Sequence, residues 1–255
     1  PVSDTGLSLI KESGIEVLYE TDLNDDGVKR IISDVDGWIV RSGTKATKEL
    51  INAAGQLKVI GRAGVGVDNI DISASTLKGV LVMNTPDGNT ISAAEHTMAM
   101  MSSVARNIQV AHSDMMKGKW NRHAFVGSEL RGKTLGIVGL GRIGLEVAKR
   151  ARSFDMKIMG FDPYVNKDVL KEKNITLCEL DELTEKSDFI TLHVPLIDST
   201  RNLFDTKRLS MMKKTARIIN VARGGLINEK NLSDALNNDV IAGAAIDVFE
   251  TEPLV

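Results

Sequence analysis

The sequence predicts an α/β protein built on two parallel sheets, and three observations carry that prediction. Short apolar runs recur without the polar alternation of half-exposed strands: DGWIV at 36–40, LKVIGRAG at 57–64, VLVMN at 80–84, then 134–138, 157–161, 189–192, 216–220 and 241–246. Stretches long enough for helical crossovers separate them, the pattern of strands covered on both faces. A glycine-interrupted segment at 139–144, GLGRIG, follows one of these strands and opens one of these helices. At 255 residues the chain has room for two cores.

The first unit is expected over 1–88. A helix around Thr5–Lys11 leads to a strand at GIEVLY, 14–19, and helical stretches at Val28–Ile32, Lys48–Ala54 and Ile70–Thr76 alternate with the strands at 36–40, 57–64 and 80–84. Asp87-Gly88-Asn89 breaks the chain, and Thr90 can cap a long helix running toward Lys117. Along that helix Ile91, Ala94, Met98, Met101, Val104, Ile108, Ala111 and Met115 recur three or four apart, which marks one long apolar face. The second unit is expected over 89–255, with 89–133 forming this helix and an irregular crossing segment. Trp120 and Phe125 in the crossing segment require burial, for which a partner subunit is one provider. Beyond it the strands at 134–138, 157–161, 189–192, 216–220 and 241–246 alternate with helices at 143–153, 167–173 and 228–237. Shorter helical turns are expected at Asp181–Thr184 and Lys207–Met212.

Composition narrows the functional classes. A formal net charge of −2 gives no electrostatic case for nucleic acid or an anionic membrane, and no eighteen-residue apolar segment is present. One cysteine, Cys178, permits no internal disulfide and argues against a zinc–cysteine cluster. No histidine pair has metal-ligand spacing, so no metal is expected. A cytoplasmic enzyme acting on small molecules is the economical reading.

The chemistry starts at the glycine segment. Gly139 allows a tight turn, Gly141 lets a pyrophosphate approach backbone, and Gly144 lets the helix sit close to the sheet. Amides at the helix start face the phosphates, with Arg142 beside them. Eighteen residues after Gly144, the run IMGFD ends in Asp162, whose carboxylate can accept both hydroxyls of an adenine ribose and repels a 2′-phosphate. NAD is therefore expected over NADP, with Lys167 and Arg142 the nearest cations that blur the choice.

Ligands of open parallel sheets gather beyond the C-terminal strand ends, and four further segments meet that condition. Gly61-Arg62-Ala63-Gly64-Val65-Gly66, with three glycines in six residues, exposes backbone amides suited to a carboxylate, with Arg41 a companion cation for an acidic substrate. His193-Val194-Pro195 follows a strand, but no nearby acid suits His193 to act as the catalytic acid, and the segment is expected against the adenosine side of the cofactor. Asn220-Val221-Ala222-Arg223-Gly224-Gly225 raises an arginine where it can hold a carboxylate and polarise its oxygen. Asp247, Glu250 and Glu252 crowd the last exit. Asp247 suits a nicotinamide carboxamide, and spacing alone does not choose between Glu250 and Glu252 as the acid that tunes a catalytic base. His96 and His112 fall on the long helix, where packing or surface roles are expected.

These segments resemble the D-isomer-specific 2-hydroxyacid dehydrogenases over essentially the whole chain. The resemblance rests on Val40-Arg41-Ser42-Gly43-Thr44-Lys45, Gly61 to Asn69, GLGRIG, Asn220 to Gly225 and Asp247 to Pro253. It implies a flavodoxin-like substrate domain and a larger Rossmann-like NAD-binding domain. It also implies roles by position: Arg223 as the substrate-binding, electrophilic arginine, Glu252 rather than Glu250 as the catalytic glutamate, Asp247 near the nicotinamide, and Asp162 on the ribose. Val194, Pro195, Val221 and Ala222 match positions that line the cofactor. Arg41, Arg62, Gly64, Val65 and Gly66 match the substrate-anion site. The reaction so implied is NAD-dependent oxidation of (R)-3-phosphoglycerate by a homodimer or a tetramer of dimers. Reduction of glyoxylate or hydroxypyruvate, or oxidation of another small 2-hydroxy acid, is the alternative, and an NAD-responsive corepressor is a remote non-enzymatic one. The family's catalytic histidine follows the Glu-Pro at 252–253 by about twenty residues, whereas this sequence runs from Pro1 to Val255. An opening strand and a returning C-terminal helix are expected outside it as well.

Overall fold

The computed structural model describes residues 2–165 and 174–254, so Lys167 and the helix expected at 167–173 lie outside the described residues. The chain forms two compact units, Pro1–Asn89 and Thr90–Val255.

In the first unit, α1 (Asp4–Glu12) and α2 (Asp25–Ile31) precede β1 (Gly37–Val40), α3 (Lys48–Ala53), β2 (Val59–Arg62), α4 (Ile72–Leu77) and β3 (Leu81–Asn84). The three strands pair in parallel in the order β1-β2-β3, with Val40 opposite Arg62 and Arg62 opposite Asn84. Helix starts are set by local chemistry: Asn24 Oδ1 accepts from Gly27 N and Asp71 Oδ1 from Ala74 N. Val40, Leu50, Ile51 and Ile60 close the core between helices and sheet.

GIEVLY does not form the expected strand. It has no strand partner among the described residues, and Ile15 and Leu18 are each 58% exposed. β-propensity alone does not hold an extended segment whose backbone finds no ladder and whose side chains find no core.

The second unit begins with α5 (Thr90–Ala105) and α6 (Ile108–Met116). It continues through β4 (Thr134–Val138), α7 (Arg142–Arg152), β5 (Lys157–Phe161), β6 (Thr176–Leu177), α8 (Leu180–Lys186) and β7 (Phe189–Leu192). It ends with α9 (Thr206–Met211), β8 (Arg217–Asn220), α10 (Glu229–Asn237) and β9 (Gly243–Ile246). All six strands are parallel, in the order β6-β5-β4-β7-β8-β9. The chain winds outward from β4 to one edge, returns, and winds outward from β7 to the other. The reversal between β4 and β7 is the crevice where such sheets bind nucleotides. Both faces are covered: neighbours Ile218 and Ile219 on β8 fall in opposite hydrophobic clusters, as the two-residue period of a strand requires.

The long helix expected from Thr90 to Lys117 is two helices. Asn107 sits between them at φ 55°, a left-handed conformation that asparagine tolerates and most residues resist. The continuous apolar face ends with the break. Ala94, Met98, Met101 and Ala105 are buried, whereas Ile108 and Met115 are exposed. The crossing segment takes over at this point: Ser128 N donates to the terminal carbonyl of Ala105. A side chain at Gly127 would lie 2.5 Å from that same oxygen, so only glycine passes there. Within this chain Phe125 is half-buried but Trp120 remains 75% exposed.

Candidate active site

The three glycines of GLGRIG do three different things. Gly139 has φ +94°, and a Cβ there would stand 2.5 Å from the His193 carbonyl oxygen, so the end of β4 turns hard against the end of β7. Gly144, on the first turn of α7, would place a Cβ 2.1 Å from the Gly139 carbonyl oxygen, which is how the helix closes onto the strand. At Gly141 a Cβ would meet nothing within 4 Å. That glycine keeps open a space at the start of α7, whose cap residue supplies no side chain to the first amides. Exposed backbone, first-turn amides without a side-chain cap and the positive end of a helix dipole suit a pyrophosphate. Asp162, just past β5, is fixed by its own neighbours: Oδ2 accepts from Leu140 N at 2.8 Å and Oδ1 from Tyr164 N at 2.9 Å. The first bond ties this acid to the glycine turn. The residues present thus fit a dinucleotide.

Val194 and Pro195 follow β7, and Val221 and Ala222 follow β8 at the same end of the sheet. His193 lies between the first pair and the strand. Burial pushes its imidazole down to about 4 from the ordinary 6.5, and Thr191 Oγ1 is 3.0 Å from its Nε2. It is held neutral, which suits a wall of the site and not a proton donor.

Asn220 organises the neighbouring exits. Its side chain is almost fully buried, its Nδ2 donates to the Arg223 carbonyl at 2.8 Å, and its Oδ1 accepts from Ala222 N at 3.1 Å. Its own carbonyl accepts from Asp247 N at 3.0 Å, which links the arginine loop to the start of the acidic segment. Arg223 is half-buried, with NH1 donating to the Ala222 carbonyl at 2.7 Å. A Cβ on Gly224 would stand 2.0 Å from the Phe249 carbonyl oxygen, so the two loops touch backbone to backbone. In the acidic segment Glu252 Oε1 accepts from Phe249 N at 2.9 Å, Glu250 lies 3.7 Å from Arg201, and Asp247 Oδ1 lies 3.2 Å from His96 Nε2. Glu250 and Glu252 are therefore different: one meets an arginine, the other folds onto its own turn.

In the first unit, the glycine loop after β2 is held by Asn69. Its Nδ2 donates to the carbonyls of Arg41 and Thr44 at 2.8 and 2.6 Å, and its Oδ1 accepts from Arg62 Nε at 3.2 Å. Arg62 NH1 also donates to the Ala63 carbonyl, and the guanidinium occupies the space a Cβ on Gly64 would need. Arg62 thus braces the loop. Val65 and Gly66 have no backbone hydrogen bond from their amides among the described residues, and Arg41, after β1, is exposed. Asn69 and Asn220 as hubs, and the approach of His96 to Asp247, were not assigned from sequence. A polar residue closing an apolar strand run was the available signal for Asn220, but contacts across strands and to a distant helix leave no mark in local spacing.

Fold and site together define a dinucleotide-binding protein of the dehydrogenase type. Residues 98–255 match the family described as D-isomer specific 2-hydroxyacid dehydrogenase, NAD binding domain, and the chain belongs to that family. It is 49% identical over 254 residues to D-3-phosphoglycerate dehydrogenase of Methanocaldococcus jannaschii, covering 99% of this chain and 48% of the relative. It is 48% identical over 257 residues to the enzyme of the same name from Bacillus subtilis, covering 100% and 48%. The chain spans about half the length of the curated relatives it matches. Among solved structures, D-lactate dehydrogenase from Aquifex aeolicus complexed with NAD and lactic acid is similar with a TM-score of 0.86 and 30% identity, over 98% of this chain and 76% of that one.

Proposed function

We propose that this protein oxidises a small anionic 2-hydroxy acid with NAD, and that the acid is (R)-3-phosphoglycerate, giving 3-phosphohydroxypyruvate for serine biosynthesis. The observation that carries the reading is the linkage of Arg223 and Asp247 through Asn220 at neighbouring strand exits, in a sheet whose central strand ends in the dinucleotide turn. The relatives named D-3-phosphoglycerate dehydrogenase support the choice of substrate.

Bound NAD supplies the acceptor for the hydride that leaves C2 of the substrate. Gly141 and the amides of Arg142 and Ile143 hold its pyrophosphate, Asp162 its adenine ribose, and Asp247 its carboxamide, with Val194, Pro195, Val221 and Ala222 as walls. The Arg223 guanidinium holds the substrate carboxylate and stabilises charge on the oxygen that becomes the ketone. Glu252, fixed through Phe249 N, orients the group that takes the hydroxyl proton and raises its proton affinity. Arg41 and the amides of Val65 and Gly66 hold the substrate's anionic end, with Arg62 bracing their loop. Exposed Trp120, with exposed Ile108, Met115 and Met116, forms the self-association face of a homodimer. The reaction is placed in the cytoplasm, a setting with which the one half-buried cysteine is compatible.

The test is NADH formation by the intact protein with 3-phosphoglycerate, lactate and glycerate, beside titration of NAD and NADP. 3-Phosphoglycerate is expected to be strongly preferred, and Asp162→Ala to weaken NAD while narrowing its lead over NADP. Equal rates on all three acids count against the substrate, and an unchanged NAD:NADP ratio in Asp162→Ala counts against the ribose role.

A further inference from the structure

The geometry points to His96 as a positioning residue for the nicotinamide end of the cofactor, acting by aiming the Asp247 carboxylate. This rests on the dehydrogenase reading above and deepens it. His96 lies in the second turn of α5, the helix that packs against β8 and β9. Ala94, Thr97, Met98 and Met101 turn into the core and fix the helix. His96 is thereby left at the sheet end where β9 delivers Asp247, and its Nε2 lies 3.2 Å from Asp247 Oδ1.

Asp247 is constrained from two directions. Its backbone amide donates to the Asn220 carbonyl at 3.0 Å, which sets where the residue leaves β9. The imidazole then sets which way the side chain faces. An aspartate at the end of a strand otherwise hops among staggered χ1 rotamers, and a carboxylate that must meet one carboxamide N–H gains from having its other oxygen already engaged. With Oδ1 held by His96, Oδ2 is the oxygen left to accept. The neighbouring acid on the helix, Glu95, is directed elsewhere, to Arg150 at 3.6 Å, so it does not compete for the imidazole.

Stability does not explain the pair. Both side chains are about half exposed, 47% and 49%, and contacts of that kind contribute little to folding. The pair joins α5 to the strand exit at which the proposed carboxamide contact needs a fixed carboxylate direction.

The experiment compares two ligands that differ only at the nicotinamide. NAD and ADP-ribose are titrated calorimetrically against the wild-type protein, His96→Ala, His96→Gln, Asp247→Ala and the double variant His96→Ala/Asp247→Ala, with thermal unfolding of each. His96→Ala is expected to weaken NAD about 5- to 10-fold, the effect of losing one half-exposed hydrogen bond, and to leave ADP-ribose unchanged. His96→Gln, whose amide keeps a donor, should recover most of the loss. Adding His96→Ala to Asp247→Ala should cost nothing further. Equal weakening of both ligands, no weakening of NAD, or full additivity in the double variant would overturn the inference. If Asp247→Ala loses NAD selectively and His96→Ala does not, only the role of His96 fails. If wild type binds neither ligand, or Asp162→Ala binds both as well as wild type, the dehydrogenase reading fails with it.

Discussion

Gly141 and Gly144 stand three residues apart in one turn, and alanine at each should damage a different property. At position 144 the new Cβ would sit 2.1 Å from the Gly139 carbonyl oxygen and 3.3 Å from Ile137 Cγ2, where real Cβ atoms essentially never come closer than 3.0 Å. The obstacle is backbone, so α7 must lift from β4 by nearly 1 Å. Overpacking of this kind costs about 1–3 kcal/mol. In a unit of this size each kcal/mol lowers the melting temperature by about 2–4 °C. At position 141 the Cβ meets no protein atom within 4 Å, so folding stability should change by less than about 0.5 kcal/mol. The methyl instead enters the space left for the pyrophosphate, and NAD affinity should fall at least about tenfold, or 1.4 kcal/mol. Differential scanning calorimetry and NAD titration of both variants separate the two effects. A Gly141→Ala protein that binds NAD like wild type refutes the placement of the pyrophosphate. A Gly144→Ala protein with unchanged melting temperature refutes the close helix–strand contact.

Gly224→Ala should open the contact with Phe249, because a Cβ 2.0 Å from that carbonyl oxygen forces the loops apart by about 1 Å. A displacement of that size between Arg223 and the acidic segment is expected to lower kcat/KM about 100-fold, and steady-state kinetics showing less than a threefold loss would sink the idea. His193 makes acid destabilising. Its folded pKa near 4 lies below the ordinary 6.5, so the unfolded chain binds a proton first and stability falls as pH drops from 6.5 toward 4. The loss from this group is about 2 kcal/mol by pH 5. Urea unfolding at pH 7.5 and 5 should show that slope flattened in His193→Asn, and an identical slope in both proteins would exclude the group. Trp120→Glu should shift the protein toward monomer in sedimentation velocity, and an unaltered oligomer would remove Trp120 from the self-association face.

Local sequence determined those parts of the molecule whose causes are local. Apolar runs of four or five residues separated by crossover-length segments sufficed for the parallel α/β class. GLGRIG followed by Asp162 at a fixed distance sufficed to bring the turn, the helix start and the terminal acid together, because they lie within one βαβ unit. Arg223 and the acidic segment were legible as strand exits, since a residue after an apolar strand run in a parallel sheet has one end at which to appear. The failures have equally local causes. GIEVLY carries strand propensity, but a strand exists only when another strand accepts its backbone, and that depends on residues elsewhere in the chain. The break at Asn107 interrupts an apolar repeat that continues through it in the sequence. Beyond the break Ile108 and Met115 are exposed, whereas Ala94, Met98 and Met101 before it are buried. Tertiary structure alone decided the connections among distant residues. Asn220 reaches Asp247 because β8 and β9 are neighbours in register. His96 meets Asp247, about 150 residues further along the chain, because α5 lies across those two strands. Side-chain types announce what chemistry a segment can perform, but which atoms face each other is set by the packing of elements that the local pattern does not encode.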